Sequence, residues 1–205
     1  GALSLFTYGL LQAPDSGWGS PASLGLLGGA ALLLAVFIRV ERRAARPMLD
    51  LTLFRLPAFA GVQLLAAAPA FSFVVLLVLL PARFIGIEGY SALEAGRMMI
   101  ALSAPMLVLP ILAGMAAQRI AAAHICACGL LLAAGGLLWL STCAPGQSPA
   151  SLLGPLLLIG CGISLPWGLM DGLAISVVPV ERAGMAAGIF NTTRVAGEGL
   201  ALAIV

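Results

Sequence analysis

Ile120–Met170 reads IAAAHICACGLLLAAGGLLWLSTCAPGQSPASLLGPLLLIGCGISLPWGLM and contains no Asp, Glu, Lys or Arg. A helix needs about 20 predominantly apolar residues, each rising about 1.5 Å, to cross a bilayer. The stretch is long enough for two crossings, and its middle, STCAPGQSPA at Ser141–Ala150, has the Ser, Pro and Gly of a turn. The rest of the chain repeats the pattern. Charged residues are also absent from Ser16 to Ile38, from Leu56 to Ala82 and from Met98 to Gln118. Of the 205 residues, 61% are hydrophobic and only 9% charged, against roughly 25% charged in a soluble domain. A soluble fold of this composition would have a greasy outside. The sequence therefore predicts an all-α integral membrane chain.

A membrane β-barrel would alternate apolar and polar residues over segments of about ten. Phe73–Leu80, FVVLLVLL, has no such alternation. The 25 Gly and 13 Pro suit bundled membrane helices, in which small residues let backbones approach. Spans are expected at 21–38, 57–80, 91–117, 121–140 and 152–178. Gly1–Leu11 is expected to be the tail of a span that begins earlier, and 183–205 a span that ends later. The chain then holds about five complete spans and two truncated ones. In domain terms, 1–38 is a first pair of spans, 39–56 an Arg-rich loop and 57–205 the following bundle. Pro69, Pro105, Pro110 and Pro166 fall inside expected spans and predict bent helices.

Loop charge orients the spans. All ten basic residues are Arg, and five of them, Arg39, Arg42, Arg43, Arg46 and Arg55, lie in one short loop, which is expected to be cytoplasmic. Counting from there, Arg119 and Arg182 fall inside, and the loops at 12–20 and 141–150 fall outside with no basic residue. Arg83, expected in an outer loop at 81–90, runs against the trend. Trp18 and Tyr90 fall near outer interfaces, where amphipathic rings are favoured.

Charges inside a span cost at least about 2.5 kcal/mol and face a partner or a water-filled cavity. Asp171 is expected about nine residues before the inner end of its span and Arg194 about twelve into the next, depths within roughly 5 Å of each other and within reach of an Arg side chain. Glu198 competes as partner, four residues from Arg194 on the same face. Asn191 extends that face, and Gln63 is a further polar group placed to line a cavity or bond a neighbour. These five are the candidates for a transport path or proton coupling, and a purely structural polar knot is the alternative. Glu94 and Arg97 read as an interfacial i, i+3 pair. His124, at the inner headgroup level, needs no special role. Gly184 and Gly188 form a G-x-x-x-G that suits close helix packing. Cys126, Cys128, Cys143 and Cys161 lack zinc-like spacing and read as small buried thiols. No nucleophile–base–acid set, phosphate loop or metal cluster is visible, so neither an enzyme nor a metal site is expected. A net charge of +2 is too small and scattered for a nucleic-acid surface.

Several motifs in order carry a resemblance. Trp18-Gly19-Ser20-Pro21 precedes a hydrophobic helix, followed by Val40-Glu41-Arg42-Arg43, PMLDLTLFR at Pro47–Arg55, GYSALEAG at Gly89–Gly96 and ERAGMAAGIFNTTRVAGEGL at Glu181–Leu200. Together they resemble the major facilitator superfamily, and more narrowly its fourteen-span drug:proton antiporters. The resemblance implies that 1–38 holds the end of span seven and span eight, the extra central pair, and that 57–205 holds spans nine to thirteen. It implies a partial bundle of the type that rocks two halves around a central site, in a multi-pass protein of the bacterial plasma membrane. The implied activity is proton-driven export of hydrophobic, often cationic, drugs. The partners implied are membrane lipids, a small hydrophobic substrate and the first half of the same polypeptide. The energy source would be a proton gradient, with no cofactor. Arg194, in FNTTR, matches an Arg of the family's thirteenth span. In the family's gating-loop pattern, Gly-Arg-Leu-Ala-Asp-Arg-x-Gly, this chain reads Gly114-Met115-Ala116-Ala117-Gln118-Arg119-Ile120-Ala121. Gln118 replaces the acid and cannot form an ion pair, which predicts a weaker latch. It also leaves open a non-transporting relative that acts in assembly or sensing. An unrelated permease is the other alternative.

Overall fold

The computed structural model describes residues 1–41, 43, 51–144, 146 and 148–204, and every regular element among them is helical. Arg42, Arg46 and Pro47–Asp50 of the Arg-rich loop lie outside the described residues. The helices are α1 (Ala2–Ser16), α2 (Pro21–Glu41), α3 (Pro57–Pro69), α4 (Val75–Gly86), α5 (Ala92–Ser103), α6 (Pro105–Ala116), α7 (Ala122–Ser141), α8 (Pro149–Ser176) and α9 (Ala183–Ile204). Short 3-10 turns occupy Leu51–Arg55 and Val180–Arg182, and a π-helical turn at Ala70–Val74 joins α3 to α4. Among the described residues, five apolar helical stretches are long enough to cross a membrane: Pro21–Glu41, Pro57–Gly86, Ala92–Ala116, Ala122–Ser141 and Pro149–Ser176. They coincide with the spans expected to be complete.

Several boundaries move, for one physical reason. Backbone groups that lose helical partners in an apolar medium have no water to replace them. α1 therefore runs through Pro14 to Ser16, and α4 runs through Pro81 to Gly86, which puts Arg83 in the last helical turn instead of a loop. Pro69, expected to bend its helix, is followed at once by the π turn, in which Ser72 Oγ donates to the Ala68 carbonyl at 2.8 Å. At Pro105 the span is broken into α5 and α6 around Ala104. Pro155, Pro110 and Pro166 stay inside continuous helices.

The chain forms two compact units. The first combines Gly1–Ala67 with Ala174–Val205. In it α1 and α2 make a hairpin and α9 packs on α1. Pro21 occupies the first turn of α2, where a missing N–H is harmless, and Ser20 Oγ accepts from the Ser23 amide at 3.2 Å. A small core joins Leu53 and Phe59 to Val178, Ala186 and Ile189, with Phe54 edge-on to Phe59 at 5.4 Å.

The second unit is Ala68–Leu173, organised around α8. Leu152, Leu156, Ile159 and Ile163 recur at helical spacing, at most 1% exposed, and join Phe73, Phe84, Leu102, Ala133 and Leu140 in one core. Glycines let the backbones touch. A Cβ on Gly129 would meet the Gly162 carbonyl at 2.5 Å, and one on Gly136 would meet Ile159 N at 2.9 Å. Gly160 and Gly162 abut the backbones of Leu102 and Ala133. Gly184 and Gly188, where close packing was expected, have nothing within 4 Å among the described residues.

Candidate functional site

α9 arises from an apolar sequence interrupted at a helical interval. Asn191, Arg194 and Glu198 are separated by three and four residues and so form one polar ridge along the helix. Arg194 and Glu198 are half-buried, and Asn191 is exposed. The Asn191 amide turns back on its own helix, donating from Nδ2 to the Ala187 carbonyl at 3.1 Å. The packing of α9 runs through Ala186, Ile189 and Phe190, all buried, and Phe190 is one helical turn before Arg194 on the same side. Arg194 begins about three turns into α9.

Asp171 belongs to the second unit and Arg194 to the first, so each is placed within its own unit. Asp171 is exposed on α8. It is closer to its helix end than the expected nine residues, because α8 stops at Ser176.

Gln63 departs most from expectation. It is 6% exposed and shares a face of α3 with Phe59, Val62 and Ala66, all buried. Neither Nε2 nor Oε1 has a hydrogen-bond partner among the described residues. It lines none of the cavities described below and bonds no neighbour. A buried amide left unpaired costs about 1–3 kcal/mol.

Gly114, Gln118 and Arg119 lie at the α6–α7 connection. α6 ends at Ala116, and tight turns follow, the Gln118 amide donating to Met115 O at 3.3 Å and the Arg119 amide to Ala116 O at 3.0 Å. All three residues are exposed. This is a compact connector whose polar side chains face away from the chain.

At the other end of the second unit is a cluster that sequence reasoning missed. Arg83 Nε and Glu88 Oε1 form an ion pair at 3.1 Å, with the Glu88 side chain only 3% exposed. The same guanidinium donates from Nη2 to the Cys143 carbonyl at 3.4 Å. One Arg thus ties the α4–α5 connection to the end of α7, and its charge is cancelled locally. That explains how an Arg can stand against the orientation trend. The i, i+5 spacing of Arg83 and Glu88 was the available signal, hidden by treating 81–90 as loop. Tyr90 stacks on Phe84 at 5.9 Å, and burial, then the Glu88 carboxylate, push its phenol above its ordinary pKa. Glu94 does not act chiefly with Arg97. Its carboxylate accepts from Ser91 N at 2.9 Å and Ser91 Oγ at 2.7 Å, closing a capping box at the start of α5. Helix-start amides otherwise lack acceptors, and this need outweighs a solvated pair with Arg97. Of the four thiols, Cys126 and Cys143 are buried and Cys161 half-buried, but Cys128 is exposed, since α7 turns that side away from the core.

Within the first unit an apolar depression of 470 Å³ lies among α1, α2 and α9, lined by residues that include Phe6, Leu27, Ala30, Leu34 and Ala196. Ala196 is two positions from both Arg194 and Glu198, which puts it on the far side of α9 from the polar ridge. The depression can hold hydrocarbon but offers no group to orient a polar ligand.

Comparison with known proteins agrees with this architecture. The family model described as Major Facilitator Superfamily matches residues 4–202. The multidrug resistance protein Stp of Mycobacterium tuberculosis is 33% identical over 204 residues, covering 99% of this chain and 38% of that protein. The tetracenomycin C resistance and export protein of Streptomyces glaucescens is 31% identical, covering 100% and 38%. The cephamycin export protein CmcT of Amycolatopsis lactamdurans is 32% identical, covering 98% and 42%. The chain thus spans about two fifths of the length of the curated relatives it matches.

Proposed function

Since the chain belongs to the Major Facilitator Superfamily and is a multi-pass part of a cell-membrane protein, we propose that the whole protein exports hydrophobic or cationic drugs by exchanging them for protons. In this reading the chain supplies spans seven to thirteen of a fourteen-span carrier. The observation that carries it is the Asn191–Arg194–Glu198 ridge along an apolar helix. A membrane helix retains charges against a cost of several kcal/mol when they face a path or a partner. Antiport needs an acid that binds either a proton or a cationic substrate, and whose bare charge is costly enough to prevent it from binding neither. Among the described residues, Glu198 and Asp171 are the acids that lie inside long helices away from both the first and the last turn. The relatives' names, which refer to multidrug resistance and to antibiotic export, support the drug class.

The test uses the full-length protein in a bacterial strain stripped of its own drug pumps. Efflux of a hydrophobic cationic dye is expected on energisation and is expected to stop when a protonophore collapses the gradient. Glu198→Gln and Asp171→Asn mimic the protonated acids permanently. Whichever position carries the proton should lose at least about tenfold in exchange rate while still binding dye. Well-expressed protein without dye efflux defeats the transporter reading, and efflux indifferent to the protonophore defeats proton coupling alone.

A further inference from the structure

α2 has 21 residues, a length of about 31 Å, and the hydrocarbon core of a bilayer is about 30 Å thick. Its ends therefore mark the two headgroup levels. Trp18 is 51% exposed just before one end, as an interfacial anchor should be. At the other end stand Arg39 and Arg43, both exposed. The Arg43 amide bonds the Val40 carbonyl at 3.0 Å, which continues the helical turn and keeps Arg43 near Arg39. Ala35, Val36 and Ile38 join the two arginines around a depression of 560 Å³. Ala35 is one turn below Arg39, and its small side chain leaves the room. Glu41, the acid between the arginines in sequence, is buried and is not part of this lining. Towards the bilayer centre α2 offers bare hydrocarbon. Only 11% of its most apolar window is buried within the chain, and Leu32 and Val36 are more than half exposed.

We propose that this inner end of α2 binds one anionic phospholipid, with its phosphate between Arg39 and Arg43 and an acyl chain along Ala35, Val36 and Leu32. The charge pattern selects the occupant. Two guanidiniums, with no carboxylate in the lining among the described residues, favour a net-negative head over a zwitterionic one, whose cation they would repel. Guanidinium matches phosphate oxygens in geometry as well as charge. A free phosphate would use only the arginines and leave the apolar floor without a role. The polar and apolar halves lie at the depths at which a phospholipid's own halves lie.

The probe is the full-length protein in detergent with phosphatidylglycerol or phosphatidylcholine added, and bound lipid is counted by native mass spectrometry. Retention of phosphatidylglycerol is expected to exceed that of phosphatidylcholine by about tenfold or more. The double variant Arg39→Gln with Arg43→Gln should abolish that preference, and the double variant Arg55→Gln with Arg119→Gln, which removes an equal charge at other exposed positions, should leave it intact. Ala35→Trp fills the depression without touching charge and should lose the bound lipid. That variant also decides the matter if the Arg39→Gln, Arg43→Gln pair fails to fold. Three results overturn the proposal: the Arg55→Gln, Arg119→Gln pair lowering retention as far as the Arg39→Gln, Arg43→Gln pair, which means diffuse attraction; Ala35→Trp leaving it unchanged; or inorganic phosphate displacing the lipid at equal concentration. None of these readings depends on transport, so loss of dye efflux and loss of lipid are separable.

Discussion

Gln63 presents a residue-scale conflict. Its amide is buried on α3 beside Phe59, Val62 and Ala66, with both polar atoms unpaired among the described residues. An apolar residue of similar size would avoid that cost, so packing alone does not account for a glutamine here. Under the proposed transport function such an amide serves a ligand, or a water that a ligand displaces. Gln63→Leu in the full-length protein is therefore expected to raise thermal stability by about 1–3 kcal/mol while lowering drug efflux. Unfolding in detergent and dye efflux, measured on the same preparation, check both halves. A fall in stability would mean that the amide is bonded by a part of the protein beyond these residues. Nothing in the sequence could reveal the missing partner. Gln63 is visible there as a polar residue in an apolar run, but satisfaction of its amide depends on what the fold brings near.

At the scale of elements, the same residue type plays two roles. Gly162 lies where α8 meets α7, with no space for a Cβ beside Ala133 and Gly129. Gly188 on α9 has nothing within 4 Å among the described residues. Gly162→Ala should force the backbones apart and destabilise by about 1–3 kcal/mol, as overpacking does. Gly188→Ala should gain up to about 1 kcal/mol from helix propensity. Thermal unfolding of the two single variants distinguishes them, and a destabilised Gly188→Ala would show that another span packs on that face. The sequence offers both as close-packing positions, Gly184 and Gly188 by their motif and Gly154, Gly160 and Gly162 by lining one helix end, and does not tell them apart. A G-x-x-x-G spacing records that small residues share a face, not that a helix lies against it. Spans were far more legible. Absence of charge over 20 or so residues is a property of each segment by itself, so α2, α7 and α8 came out nearly as expected. Segment ends were less legible: 12–20 and 81–90 read as loops, yet helical residues stand on both sides of Pro14 and Pro81. In an apolar medium the helix continues through them, since the alternative is unpaired backbone.

For the whole molecule, orientation rests on the arginines, and the structure removes the one apparent exception. Arg83 is ion-paired with Glu88, so it contributes little net charge to the side it occupies. The remaining inner assignments stand on Arg39, Arg43, Arg55, Arg119 and Arg182, which fall at helix ends or connections, where a short loop's positive charge resists translocation. The sidedness can be read directly by thiol labelling. In full-length protein with the four cysteines replaced by Ala, Ser148→Cys, between α7 and α8, should react with a membrane-impermeant maleimide in intact cells. Gln118→Cys, between α6 and α7, should react only after permeabilisation, and the pattern should reverse in inverted vesicles. Both positions are exposed, so failure to label reports the membrane and not local burial. Because α7 alone separates the two sites, labelling of both from the same side would mean that α7 does not cross. Labelling of Gln118→Cys alone in intact cells would invert the topology, and would move the Arg39–Arg43 depression to the outer leaflet.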